Sequence, residues 1–195
     1  MPSRIPLIPA LEVLHRLRTD QIVVTSMGAA REWPRFSNHP LDLHYVPSAM
    51  GQATSIGLGL ALAQPGRGVI VFSGDGSLLM NLGCLATIAA AKPSNLTIVL
   101  LDNGVYEVTG GQKTAGEVAR VDFAGLATAS GLESVATFDD LVDWQNGAAA
   151  ILKMPGPRFV ALTVEPVIGD SSLSPPGPIR PRIERLRAAL GGGSQ

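Results

Sequence analysis

Two uninterrupted apolar runs dominate the chain, Val69–Phe72 (VIVF) and Leu96–Leu101 (LTIVLL). Each has the length and β-branched content of a strand buried on both faces. Between them, Leu78 to about Ala91 carries apolar residues around its whole circumference, which predicts a buried helix ended by Lys92-Pro93-Ser94-Asn95. The order strand, turn, helix, strand, turn predicts a right-handed parallel crossover. Both turns then fall at the carboxyl edge of one sheet, where open α/β folds bind ligands.

The rest of the pattern fits an α/β fold. Leu11–Leu17 has helical apolar spacing, and QIVVT (Gln21–Thr25) reads as a short strand. Ala29–Tyr45 shows no clean period and is expected as a long loop holding Trp33, His39 and His44. Gly51–Ala63 predicts a helix in which Gly51, Ser55 and Gly59 form a nearly bare ridge. Val121–Gly131 predicts a helix with Asp122 as N-cap and Gly131 at its end. A further helix is expected over Phe138–Lys153, with Asp139 and Asp140 in its first turn. Arg158–Glu165 reads as a strand and Arg180–Leu190 as a short basic amphipathic helix. Residues 1–9, with three prolines, read as an arm, and the Pro-, Gly- and Ser-rich stretch from Pro166 as a linker.

Composition narrows the function classes. The 195 residues suffice for one α/β domain with tails, and 46% hydrophobic residues indicate a packed core rather than disorder. A net charge of −1 leaves no electrostatic footprint for nucleic acid or an anionic membrane surface. No apolar run reaches the ~18 residues of a membrane span. The first residues lack the apolar core of a signal peptide, so a cytoplasmic protein is expected. One cysteine excludes an internal disulfide, and Cys84 is expected to be a small packed residue of the central helix.

The chemistry lies in the two turns. Gly74-Asp75-Gly76-Ser77 ends the first run, and its glycines permit a sharp turn with close backbone approach to a ligand. Asp102-Asn103-Gly104 ends the second. Asp75 offers a carboxylate, Asn103 a side-chain carbonyl and Val105 a backbone carbonyl. Such hard oxygen donors, beside helix N–H groups that attract anions, suit a Mg²⁺ ion bridging to phosphate. An ordinary βα turn with a helix-capping Asp and a turn-forming Asn is the alternative.

The pair GDGSLLMNLGCLATIA and DNGVYEVTGGQKT resembles the cofactor motif of thiamine diphosphate enzymes, which begins GDG and ends in Asn-Asn. More narrowly it is similar to the cofactor-binding part of sulfopyruvate and phosphonopyruvate decarboxylases, over about Val23 to Pro166. Asp102 stands where the closing pair has its first Asn. The resemblance implies a three-layer α/β/α fold with a mostly parallel central sheet. It divides the chain into residues 1–20 (arm and short helix), 21–166 (cofactor-binding domain) and 167–195 (linker, helix and tail).

It also implies thiamine diphosphate and Mg²⁺ as cofactors, with Asp75, Asn103 and Val105 as metal ligands. Gly74, Gly76, Ser77 and Tyr106 belong to the same motif stretches. Ser26 and Gly28, in the turn after the first strand, would lie near the diphosphate. Met50 would wedge between the cofactor rings, and the Ser48 carbonyl would accept from the 4′-amino group. Glu107 follows the Asn103 turn on the diphosphate side, where it either reaches the substrate or caps the next segment.

By the same likeness, the glutamate that activates the pyrimidine sits on a separate domain, and nothing before residue 46 is long enough to be it. A pyrimidine-binding (alpha) partner subunit is therefore expected, with a homodimer or higher oligomer and loss of CO₂ from a small 2-oxoacid. Gln112 and Lys113 are candidates for an anionic substrate tail. Two alternatives stand beside this: a cofactor-binding subunit like the β chain of 2-oxoacid:ferredoxin oxidoreductases, and a non-catalytic phosphate-binding module. The lone cysteine weakens the first, and the lack of a Walker lysine or GxGxxG fingerprint weakens the second.

Overall fold

A computed structural model describes residues 4–45, 50–167 and 177–191. The chain runs α1 (Leu7–Leu17), β1 (Ile22–Ser26), α2 (Met27–Glu32), β2 (Asp42–Tyr45), α3 (Ala53–Ala63), β3 (Val69–Gly74), α4 (Asp75–Leu79) and α5 (Cys84–Ala91). It continues through β4 (Leu96–Asp102), β5 (Val105–Tyr106), β6 (Gln112–Lys113), α6 (Ala115–Ala119), α7 (Phe123–Ala129), β7 (Ser134–Phe138), α8 (Leu141–Ile151), β8 (Arg158–Thr163) and α9 (Ile179–Ala189). Six strands form one sheet in the order β2-β1-β3-β4-β8-β7, with every pair parallel. A separate antiparallel hairpin, β5-β6, stands beyond the end of β4.

The apolar strands explain the layering. Successive side chains of a strand point to opposite faces. Val69 and Val71 join one core cluster, with α3, α5 and α7 residues such as Ala61, Ile88 and Ala127. Ile70 and Phe72 join the other, with Leu11 and Leu14 of α1, Trp33, and Trp144 and Ala148 of α8. A sheet buried on both faces needs helices on both, and the result is the expected three-layer α/β/α arrangement.

The order also sets where a ligand can go. From β1 the chain moves outward to β2, then returns past β1 to place β3 on its other side. The connections leaving β1 and β3 therefore diverge, with Ala29 of α2 in one core cluster and Leu85 of α5 in the other. A crevice opens between them at the carboxyl ends.

Several expected elements differ. Residues 4–9, expected as an arm, are built into the domain: Ile5 is buried and pairs in parallel with Val164, and α1 starts at Leu7. The expected loop Ala29–Tyr45 contains most of α2, a 3₁₀ turn over Trp33–Arg35 and the edge strand β2. Its aromatics hid the strand because Trp33 is a core residue, fully buried against Phe72. His44 meets Thr25 Oγ1 at 2.9 Å, and His39 Nδ1 accepts from the Leu41 N–H at 3.1 Å, so both serve loop packing.

The central helix begins earlier than expected, at Asp75, and is broken between Leu79 and Cys84. Here Asn81 turns its amide onto the Gly51 carbonyl. Phe138 ends β7 rather than starting a helix, and Asp140 is the N-cap of α8, accepting from the N–H groups of Val142 and Asp143. Asp122 caps α7 as expected, accepting from Gly125 N–H at 2.8 Å. Cys84 is packed in the core and accepts from Thr54 Oγ1.

The small-residue ridge of α3 also differs. Gly51 precedes the helix in a left-handed conformation (φ 85°), and Ser55 and Gly59 are exposed. Gly57 is the close contact: a Cβ there would collide with the Val71 side chain of β3. Gly57→Ala should destabilise the chain by ~1–3 kcal/mol through overpacking. Gly59→Ala, with open space around it, should stabilise it by up to ~1 kcal/mol through helix propensity. Urea midpoints of the two variants should move in opposite directions.

Candidate active site

The crevice is lined by residues from four strand ends. Ser26, Met27, Gly28 and Ala29 come from the end of β1, and Gly74 to Ser77 from the end of β3. Leu101, Asn103 and Val105 to Thr109 follow β4, Leu7 and Val164 close its floor, and Met50 stands at its side. Every residue predicted to bind cofactor or metal or to act in catalysis, among those described, lines this one cleft: Ser26, Gly28, Met50, Gly74, Asp75, Gly76, Ser77, Asn103, Val105, Tyr106 and Glu107. Ser48 lies outside the described residues. Gln112 and Lys113 are exposed on β6 and are not among the lining residues.

The register of β3 against β4, Gly74 opposite Leu101, brings the two turns to the same level. Asp75 is the first residue of α4 and only 1% exposed. Its Oδ2 accepts a 2.5 Å bond from Thr114 Oγ1. Burial pushes its pKa up, while the Thr114 bond and the N–H groups of Gly76 and Asp75 favour the charged form. Asp102 is pushed up to about 6, first by burial and then by the charge of Asp75.

The second turn is organised by Asn103, whose Oδ1 accepts from Val105 N–H at 2.9 Å. This is the turn-forming role expected of Asn, and one lone pair of the amide oxygen remains. Gly104 takes the left-handed conformation (φ 74°) that completes the turn.

A hard divalent cation fits this donor set. The buried carboxylate retains acceptor capacity beyond Thr114 and the N–H groups of Gly76 and Asp75, because its two oxygens offer about four lone-pair sites. Two neighbouring carboxyl groups, each desolvated, are the environment that a cation relieves. Among the described residues no cluster of three or more His, Cys, Asp or Glu forms a self-sufficient metal site. The donors here instead suit an ion that keeps water and a phosphate in its shell, as Mg²⁺ does.

The other walls are set by close approaches. Gly76 has no side chain because Tyr106 lies against it: a Cβ would strike the ring. Gly28 faces Glu107, whose Oε2 would be 2.8 Å from a Cβ there. Glu107 Oε1 accepts from Val167 N–H at 2.8 Å, so this carboxylate crosses the cleft from one wall to the other. Ser26 Oγ donates to the Phe72 carbonyl at 3.0 Å, tying β1 to β3 at the mouth. Gly51 N–H donates to Ser77 Oγ at 2.8 Å, so the loop carrying Met50 is pinned to the Asp75 turn.

Three lining or supporting residues escaped the sequence reading. Met27 lines the cleft with φ 51°, a left-handed backbone unusual for a residue with a side chain and typical of functional sites. Thr114 was findable: Thr114-Ala-Gly-Glu117 is a helix-capping pattern, and Thr114 Oγ1 does accept from Glu117 N–H. Arg4 was not, since no local pattern marks it. Its Nη1 donates to the carbonyls of Asn103 (2.9 Å) and Val164 (3.1 Å), and its Nη2 pairs with Glu117.

The chain was compared with known proteins. It is 42% identical over 164 residues to the sulfopyruvate decarboxylase subunit beta of Methanothermobacter thermautotrophicus, covering 84% of both chains. It is 41% identical over 167 residues to the phosphonopyruvate decarboxylase of Streptomyces viridochromogenes, where it spans 85% of its own length but 40% of that protein. Among solved structures, a thiamin diphosphate-dependent enzyme from Mycobacterium smegmatis superposes with a TM-score of 0.70 at 22% identity, over 86% of this chain and 33% of that one. The family "Thiamine pyrophosphate enzyme, C-terminal TPP binding domain" matches residues 24–162, a span containing both turns and all of the crevice lining except Leu7 and Val164. The chain therefore belongs to the thiamine pyrophosphate enzymes, as a C-terminal TPP-binding domain.

Proposed function

We propose that this chain is the cofactor-binding subunit of a two-chain 2-oxoacid decarboxylase that releases an aldehyde and CO₂. The observation that carries this is a relative named as subunit beta, matched over 84% of both chains, together with a cleft where the motif residues converge. Residues 21–166 are taken as the cofactor-binding domain, 1–20 and 167–195 as its flanks. The assembly is read as cytoplasmic, built with a pyrimidine-binding alpha subunit and forming a homodimer or higher oligomer of such pairs. Its substrate is a 2-oxoacid with a second anionic group, sulfonate or phosphonate.

In this reading Asp75, Asn103 and the Val105 carbonyl hold Mg²⁺, and Gly74, Gly76 and Ser77 admit the diphosphate to the backbone. Thiamine diphosphate supplies the electron sink that decarboxylation of a 2-oxoacid needs. Met50 and Tyr106 exclude water from opposite sides, which strengthens every polar contact inside. Glu107, bonded to Val167 N–H and set against Gly28, faces the space left for the substrate. The activating glutamate comes from the partner.

The test is aldehyde release from sulfopyruvate, phosphonopyruvate and pyruvate, with cofactor and Mg²⁺, for the chain alone and with its partner subunit. Turnover only with the partner is expected. Robust turnover by the chain alone would refute the split site, and silence in both arms would count against decarboxylation.

Asp75→Ala should weaken Mg²⁺-dependent thiamine diphosphate binding at least tenfold, or ~1.4 kcal/mol, by calorimetry in the assembled complex. Equal affinity would sink the metal assignment. Met50→Ala should lower turnover while leaving cofactor affinity and the unfolding midpoint near wild type. A loss of stability of ~2–5 kcal/mol would instead mark Met50 as a core residue.

A further inference from the structure

Four interactions around the cleft join into one path between its two turns. Thr114 is fully buried, and its single hydroxyl proton goes to Asp75 Oδ2 at 2.5 Å. Thr114 Oγ1 itself accepts from Glu117 N–H at 3.2 Å. The Glu117 side chain then receives Arg4 Nη2 at 3.2 Å, and Arg4 Nη1 reaches the Asn103 carbonyl at 2.9 Å. Thr114 N–H also donates to the Gly104 carbonyl at 2.9 Å, which clamps the α6 cap directly onto the second turn. The path begins on the carboxylate of one turn and ends on the backbone of the other.

Each link depends on its residue type. A hydroxyl can donate and accept at once through one atom, so the compact side chain of Ser or Thr suits the join between Asp75 and the N-terminus of α6. A guanidinium presents a rigid fork of donors, so Arg4 can hold two carbonyls and a carboxylate together where an ammonium holds them loosely. Arg4 also bonds the Val164 carbonyl, beside the point where Ile5 pairs with Val164. The segment before α1 is thus a strap across the base of the Asn103 turn.

We propose that Arg4, Thr114 and Glu117 act as one positioning relay that sets the Asp75 turn against the Asn103 turn and so sets the affinity of the metal site. The proposal rests on the reading of those two turns as the metal-binding pair. Mg²⁺ demands near-ideal octahedral geometry, so drift of one donor relative to another is poorly tolerated. Outer partners that orient metal ligands typically affect metal affinity by about 10–100-fold.

The experiment titrates the complex of this chain with its alpha partner, with thiamine diphosphate present, with Mn²⁺ as a paramagnetic probe. Circular dichroism and thermal melting verify the fold of each variant. Thr114→Val should weaken Mn²⁺ binding by about tenfold, the lower bound for such partners, and Thr114→Ser should restore it. Arg4→Gln should weaken binding, and Arg4→Lys should not rescue it. The double variant Arg4→Gln/Thr114→Val should bind no more weakly than the worse single, because residues of one relay are non-additive.

Single effects that multiply, or singles that bind as wild type while Asp75→Ala does not, overturn the relay and leave the metal site standing. Wild-type affinity in Asp75→Ala, or no Mn²⁺ binding by the wild-type complex, overturns the metal reading and the relay with it. Should Thr114→Val fail to fold, Glu117→Gln and Arg4→Gln carry the same comparison, since both positions are partly exposed.

Discussion

The bond from Thr114 to the buried carboxylate of Asp75 is the contact around which the cleft is arranged. A carboxylate that is 1% exposed is a costly thing to keep ionised, since burial favours its neutral form. Every neighbour bears on that difficulty. Thr114 donates to it, the first N–H groups of α4 face it, and the cation of Arg4 lowers its pKa from farther off. Asp102 nearby is pushed up to about 6, first by burial and then by the charge of Asp75. Both carboxyl groups therefore sit at the strand ends in surroundings that disfavour their charge.

That arrangement is delivered by topology. Parallel pairing from β2 through β8 places the ends of β1, β3 and β4 at one edge. The reversal of direction about β1 opens the crevice there. The two cores on either side of the sheet hold the strands so firmly that the turns at their ends inherit their spacing. Phe72 illustrates the coupling: its side chain is fully buried against Trp33, and its carbonyl takes the Ser26 hydroxyl at the cleft mouth.

The glycines of the cleft owe their identity to residues far away in sequence. Gly76 leaves room for Tyr106 and Gly28 for the Glu107 carboxylate. In each case a missing side chain on one wall lets a side chain from another reach across. The cleft is therefore closed by contacts between segments rather than within them, and its shape depends on the assembled domain.

The local sequence by itself determined the strands β1, β3, β4 and β8, because a β-branched apolar run has few other places to go. It also determined the two turns that meet at the cleft, since Gly-Asp-Gly-Ser and Asp-Asn-Gly state their own backbone geometry and donor chemistry. It did not disclose β2 or β7. β2 is a four-residue edge strand and β7 is mostly half-buried, so neither carries the continuous apolar signature of the centre. The Met80–Gly83 break in the central helix also went unseen, because Asn81 turns to Gly51, thirty positions away, rather than to a local partner. Arg4 is the clearest case: nothing beside it in sequence hints at a site, and only the pairing of Ile5 with Val164 carries it to Asn103. Local patterns fix what each segment is, whereas which distant side chain completes a carboxylate or a turn is decided only when the sheet brings them together.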